Sequence, residues 1–238
     1  MKLTRNDLGV CVGVPGVGEV HVRHIIGVGM NYAEHAREQG KEPPTRPVFF
    51  TKNPASAVLD GDVVVIPEAC RDRPQVDFEA ELAVVLGVGG KPVKDVPRER
   101  ALGAVLGYAC ANDVSARWWQ KEGSGGQFYR GKSFDTFCPI GPTVVPAAEV
   151  GDPGRLRIAC RVNGVTMQDG TTGDMIFDVA TLIAEASRGT TLLPGTVILT
   201  GTPSGVGFAR TPPVFLKGGD VVEVEIEGLG VLRNPVRG

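Results

Sequence analysis

The stretch VDFEAELAVVLG (76–87) alternates polar and apolar residues and then runs into a glycine. That period of two predicts a half-buried β-strand, with Asp77, Glu79 and Glu81 on one face and Phe78, Ala80 and Leu82 on the other. Like charges on successive same-face positions repel, and little favours them there unless a cation lies between them. A second apolar segment, YACANDVSARWWQ (108–120), brings a third carboxylate, Asp113. Glu79, Glu81 and Asp113 together make an all-oxygen donor set, which suits a hard divalent ion, Mg²⁺ or Mn²⁺, rather than zinc. The plain alternative is a row of solvent-facing strand carboxylates.

Outward from this stretch, strands are expected at RHIIGVGM (23–30), PVFFTKN (47–53), DVVVIP (62–67) and GTVILTGTPSGVG (195–207), the last running into a glycine-rich loop. RLRIACRVNGVTMQDG (155–170) reads as a hairpin on an Asn-Gly turn of type I′. DVVEVEIEGLGVLRNPV (220–236) reads as a closing strand or hairpin. Helices are expected at NYAEHAREQG (31–40), within PRERALGAV (97–105), from Asp113 through VSARWWQKEG, and at DVATLIAEASRG (178–189), the clearest amphipathic stripe. GQFYRGKSFDTFCPIGPTVVP (126–146) reads as irregular. Many strands with few short helices predict an α+β fold built on a mixed or antiparallel sheet.

Bulk properties exclude several classes. The 238 residues carry Lys+Arg 25 against Asp+Glu 27, with no long basic run, so no nucleic-acid partner is expected. No apolar stretch is long enough for a transmembrane helix, and the N-terminus lacks the apolar core of a signal peptide. Five cysteines without a CxxC pair predict reduced thiols in a cytoplasmic protein, several of them small core residues.

Among the three histidines, His35 has Glu38 three residues on, a helical spacing that lets a carboxylate orient an imidazole as a general base. The same spacing is also that of an ordinary surface pair. His21 and His24 read as structural. Lys132, beside Gly131 in RGKSFDTFCP, is placed to stabilise a developing enolate. Arg117 and Gln120 follow Asp113 at helical intervals, and Arg suits a carboxylate fork. GTPSGVG lacks the patterns of nucleotide loops, but its glycines and Thr202 would bring backbone N–H groups and a hydroxyl near a small anion. No GxSxG elbow supports a serine hydrolase.

In order along the chain, GVGMNYAEHAREQG, PVFFTKNPASAV, VDFEAELAVVLG, ANDVSARWWQ, RGKSFDTFCPIGP, QDGTTGDMIF and GTPSGVG resemble the fumarylacetoacetate hydrolase family. The resemblance implies a mixed β-roll with peripheral helices. Glu79, Glu81 and Asp113 match the metal ligands, on Mg²⁺ or Mn²⁺. His35 and Glu38 match a catalytic pair on a short, lid-like helix, and Lys132 matches the lysine beside the metal. Arg117, Gln120 and Thr202 match substrate contacts. It further implies a homodimer, and residues 23–238 as one catalytic domain after a short N-terminal segment, 1–22, without the extra N-terminal domain of some relatives. Trp118–Trp119 and the glycine-rich 121–129 depart from the family pattern.

The activity this implies is divalent-metal-dependent hydrolysis of a C–C bond in a 2,4-dioxo acid, an acylpyruvate such as fumarylpyruvate, giving pyruvate and a carboxylic acid. Two alternatives share the site. One is isomerisation or decarboxylation of 2-hydroxyhepta-2,4-diene-1,7-dioate-type diacids, as in aromatic-acid breakdown, or decarboxylation of oxaloacetate. The other is a non-catalytic binding protein on the same scaffold.

Overall fold

The computed structural model describes residues 1–238. At its centre is a seven-stranded mixed sheet in the order Val48–Lys52, His24–Gly29, Thr196–Leu199, Ala80–Leu86, Val105–Asn112, Cys138–Pro146 and Ala57–Val58. Parallel pairing joins His24–Gly29 to Thr196–Leu199, and Cys138–Pro146 to Ala57–Val58; the other pairs are antiparallel. One face packs on a five-stranded sheet (Val165–Thr171, Arg157–Val162, Val221–Ile226, Gly230–Arg237, Val64–Val65) and on the helix Val179–Ser187. The other face packs on an N-terminal meander of Leu3–Asn6, Gly9–Val14 and Gly18–His21. This is the α+β mixed roll that the sequence predicts.

The layering explains one departure from expectation. Phe78, Ala80, Leu82 and Val84 do face one core, but Ala83 and Val85 face a second core shared with Val10, Val12 and Val20. All seven residues of Ala80–Leu86 are therefore buried, not half-buried. Residues 1–22 form a covering layer of the central sheet. The predicted strand also breaks at Phe78–Glu79: Val76–Asp77 leaves the central sheet to pair with Ser115–Ala116.

That pairing shortens the helix expected from Asp113. Ser115–Ala116 is extended, the α-helix is confined to Arg117–Gln120, and a separate 3₁₀ turn follows at Glu122–Ser124. The stretch expected to be irregular instead forms the helix Phe128–Lys132 and the strand Cys138–Pro146. The expected strand at 62–67 reduces to Val64–Val65. The hairpin turn is as read, with Asn163 at φ 53° and Gly164 at φ 78°. Asp178 caps the long helix by accepting from the Thr181 N–H, and Gly189 follows it at φ 65°.

Gly131 sets how closely the Phe128–Lys132 helix approaches Arg117–Gln120. A Cβ there would lie 2.5 Å from the Gln120 backbone nitrogen and 2.7 Å from the Ala116 carbonyl oxygen. Both obstacles are backbone and neither yields easily. Gly131→Ala is expected to cost about 1–3 kcal/mol, read by chemical denaturation, and to displace Lys132. Wild-type stability in that variant would contradict the close contact.

Candidate active site

Strand register builds the acidic cluster. Glu81 stands opposite Ala111 and Ala80 opposite Asn112 on neighbouring antiparallel strands. Beyond that pairing, the Glu79 N–H donates to Asn112 Oδ1 (3.0 Å), and the Asp113 N–H donates to the Glu79 carbonyl (2.9 Å). Gln168 holds the same strand start by accepting from the Ala80 N–H at 2.9 Å. Carboxylate oxygens of Glu79, Glu81 and Asp113 converge within 4.8 Å of one another, all buried.

Three buried cations answer them. Lys132 Nζ lies 2.5 Å from both Glu79 Oε2 and Asp113 Oδ2. Lys52 Nζ lies 2.5 Å from Asp113 Oδ1. Arg117 reaches Glu79 Oε1 at 2.7 Å and grips Asp77 Oδ2 through Nε and Nη2 at 2.9 and 2.7 Å. Its Nη1 donates to Gln120 Oε1 at 3.0 Å. Arg117 and Gln120 thus share a helical turn as expected. Asp113 does not share it, because the extended Ser115–Ala116 intervenes. The Arg117 fork is occupied by the protein's own carboxylates. Lys132 sits at the end of a helix rather than in a loop.

Glu81 is left over, since no cationic side chain pairs with it. It accepts only the Gly201 N–H, at 2.7 Å. Burial, and then repulsion from Asp113 and Glu79, hold its pKa well above the ordinary carboxylate value. For Glu79 burial acts in the same direction but is outweighed by Lys132 and Arg117, which hold its pKa well below that value. For Lys132, burial is outweighed by Asp113 and Glu79, and its pKa is raised. Four buried carboxylates against three buried cations, with the surplus on an unpaired oxygen donor, fit a hard dication held by Glu79, Glu81 and Asp113.

The dyad lies beside this cluster. His35 Nδ1 is 2.6 Å from Glu38 Oε1, and the Gln39 amide nitrogen is 2.8 Å from Nε2. Donation from Nδ1 to Glu38 leaves the Nε2 lone pair to accept from Gln39. Asn31 anchors the start of this helix. Its amide donates to the Phe177 and Thr200 carbonyls at 3.0 and 2.7 Å and accepts from the Phe177 N–H at 2.9 Å.

The glycine-rich loop does present backbone N–H groups to anions, and they are the protein's own. Gly201 donates to Glu81, Gly205 to Glu38 (2.9 Å), and Gly207 and Phe208 to Asp77 (2.8 and 2.9 Å). Gly205 takes φ 102°, and a Cβ there would meet the Met167 carbonyl oxygen at 2.3 Å, so only glycine suits the turn. Thr202 Oγ1 accepts from Gln168 Nε2 at 2.7 Å, which leaves its own proton free to donate.

His35, Glu79, Glu81, Arg117, Gln120, Lys132 and Thr202 line one cleft, with Phe50, Gln39 and Lys41 among the other walls. Its volume is about 30 Å³, room for a water or two. A larger open recess of about 470 Å³ near Val88–Lys94 is lined by exposed lysines and an arginine, with no buried titratable group among them. The sequence reading missed Lys52, Gln168, Gln39 and the structural role of Asp77. Lys52, two residues from Phe50 at the end of an apolar strand, carried a weak signal: a charge where the alternation demands burial.

Residues 24–237 match the fumarylacetoacetate (FAA) hydrolase C-terminal family, and the chain belongs to it. It is 50% identical over 212 residues to a mitochondrial oxaloacetate tautomerase of Xenopus laevis, covering 89% of this chain and 65% of that protein. The chain thus spans about two thirds of that relative's length. A fumarylpyruvate hydrolase from Pseudomonas aeruginosa, solved with Mn²⁺ and pyruvate, superposes with a TM-score of 0.84 at 31% identity, covering 100% of this chain and 99% of that one. A 2-hydroxyhepta-2,4-diene-1,7-dioate isomerase from Mycobacterium marinum superposes with a TM-score of 0.78 at 38% identity, covering 96% and 77%. No helix of the chain is long and apolar enough to cross a membrane.

Two outcomes follow for the charge cluster. The folded-state pKa of Glu81 lies above its ordinary value of 4.5, so the metal-free fold holds an extra proton. That fold then loses stability as pH rises from the ordinary value through the raised one. A bound dication removes this loss, so the rise in Tm produced by Mg²⁺ or Mn²⁺ should grow with pH across that window. A pH-independent rise would contradict Glu81 as a ligand. Lys52→Ala leaves one oxygen of the buried Asp113 without its cation and is expected to cost about 3–5 kcal/mol in the metal-free protein, read by denaturant unfolding. A cost below 1 kcal/mol, within the range of exposed pairs, would contradict the buried pair.

Proposed function

We propose that the chain is a divalent-metal-dependent enzyme that moves protons on short 2-oxo acids through an enolate, with keto–enol tautomerisation of an oxaloacetate-type diacid as its reaction. The carrying observation is the His35–Glu38 pair, in which Nδ1 faces Glu38, with His35 on the wall that also bears Lys132, Glu79 and Glu81. The 50% identity to an oxaloacetate tautomerase supports the choice of substrate class.

In this reading His35 Nε2 takes a proton from C3 of the keto acid, and Glu38 holds the resulting imidazolium. The C–H electron pair becomes the C2–C3 double bond, and the C2 oxygen carries the charge beside the Lys132 ammonium. Returning the proton to that oxygen completes the enol. A dication held by Glu79, Glu81 and Asp113 would supply Lewis acidity at the 2-oxo group when bound. Thr202 donates its hydroxyl proton to the substrate carboxylate, and Gln120 lines the same wall. Arg117 acts chiefly by fixing Glu79. A 30 Å³ cleft does not admit a four-carbon acid, so the helix Ala33–Glu38 and Gln39 must move aside on binding. A homodimer and a cytoplasmic setting belong to this proposal as well, the first to be read from the mass in solution.

A second reading is hydrolysis of an acylpyruvate, supported by the likeness over the full chain to the fumarylpyruvate hydrolase. Here His35 would take its proton from water, and the same enolate would leave as pyruvate. Decarboxylation of oxaloacetate would also pass through it, with loss of CO₂.

Mixing the protein with enol-oxaloacetate, acetylpyruvate and fumarylpyruvate in Mg²⁺, Mn²⁺ or EDTA, with products read by NMR, separates the three. Metal-dependent ketonisation without net carbon loss is the expected result. Pyruvate plus a carboxylic acid would move the assignment to the hydrolases, and pyruvate plus CO₂ to the decarboxylases. His35→Ala should lower turnover on the order of 10²-fold or more while keeping its metal. Near-wild-type turnover in that variant would exclude the dyad as the base.

A further inference from the structure

The outer face of the N-terminal meander carries a second set of metal-ligating side chains, none of which lines the cleft. Across its strands Cys11 stands opposite His21, Gly13 opposite Glu19 and Thr4 opposite Cys11. Val10, Val12, Val14 and Val20 face the core, so alternation turns Cys11, Glu19, His21 and Thr4 to the other side. One donor atom from each of Cys11, Glu19 and His21 lies within 4.8 Å of the other two. Cys11 is buried, His21 half-buried and Glu19 exposed.

Neighbouring polar groups hold the three in place. Thr4 Oγ1 is 3.1 Å from Cys11 Sγ, where its proton can satisfy a thiolate. The Asn6 amide nitrogen lies 3.1 Å from Glu19 Oε2 and 3.1 Å from His21 Nε2. The single Asn6 side chain therefore fixes both the Glu19 carboxylate and the His21 ring, and hydrogen bonds of this kind commonly orient metal ligands.

We propose that Cys11, Glu19 and His21 bind a borderline divalent cation of the Zn²⁺ class. Sulfur, nitrogen and oxygen donors together select Zn²⁺ or Co²⁺ over Mg²⁺ or Mn²⁺, the reverse of the acidic trio's preference. Binding displaces the Cys11 thiol proton to solvent, and a water completes the fourth position. The cation clamps Gly9–Val14 to Gly18–His21 in the layer that covers the central sheet. Sequence reading set His21 aside as structural because its partners come from cross-strand register, which spacing along the chain does not reveal.

The test is Co²⁺ titration of the full chain in excess Mg²⁺, which fills the oxygen site. A thiolate-to-cobalt charge-transfer band at one equivalent, removed by Zn²⁺, is the expected result. Cys11→Ser should abolish it. His21→Ala, at a half-buried position, should weaken Co²⁺ binding by at least about tenfold. Glu81→Gln should leave the band unchanged. No band in the wild type, or a band that survives Cys11→Ser, would overturn the proposal. Circular dichroism confirms that each variant is folded.

Discussion

Everything around the cleft answers one constraint: three carboxylates are buried within 4.8 Å of one another. Unpaired charges in a protein interior cost several kcal/mol each, and the fold spends Lys52, Arg117 and Lys132 on reducing that cost. Those cations reach Asp113, Glu79 and also Asp77, but not Glu81. Burial first, and then repulsion from Asp113 and Glu79, hold the pKa of Glu81 well above the ordinary carboxylate value. A dication held by Glu79, Glu81 and Asp113 would offset that repulsion, so the charge balance of the cluster is compatible with divalent metal.

The glycine-rich loop and the helix Ala33–Glu38 connect to the same cluster. Gly201 touches Glu81, Gly205 touches Glu38, and Gly207 touches Asp77, so one loop reads three carboxylates from three parts of the chain. This loop therefore contacts both the acidic trio and the carboxylate that pairs with His35. Asn31 ties the helix's entry to the Thr200 carbonyl just before that loop. The Gln39 amide nitrogen occupies the His35 Nε2 position at 2.8 Å, so in the proposed reaction substrate would take the place of Gln39.

Much of this was legible in the sequence because strong local patterns agree with the fold. The strand within 76–87 survives as Ala80–Leu86, and the Asn-Gly turn at 163–164 and the amphipathic stripe of 179–187 survive as elements. The acidic trio and the His35–Glu38 pair were legible through the ordered family-like blocks that contain them, since their spacing alone also fits ordinary surface groups. What failed depended on tertiary contacts. The helix expected from Asp113 yields to pairing of Ser115–Ala116 with Val76–Asp77, which no local propensity encodes. Phe128–Lys132 was hidden because Gly131, a weak helix former, is there for a backbone contact. Lys52 and Gln168 were missed because their roles arise from partners 61 and 88 residues away. The ion pairs of Arg117 with Asp77 and Glu79 were likewise invisible along the chain, because Asp77 lies 40 residues earlier.

Glu81, the carboxylate without a cationic partner, is proposed to complete a dication site with Glu79 and Asp113. Calorimetric titration of wild type and Glu81→Gln with Mn²⁺ near neutral pH tests it most directly. The account predicts one Mn²⁺ per chain in the wild type and its loss in a Glu81→Gln protein that remains folded. Unchanged Mn²⁺ binding in the variant, or none in the wild type, would contradict it.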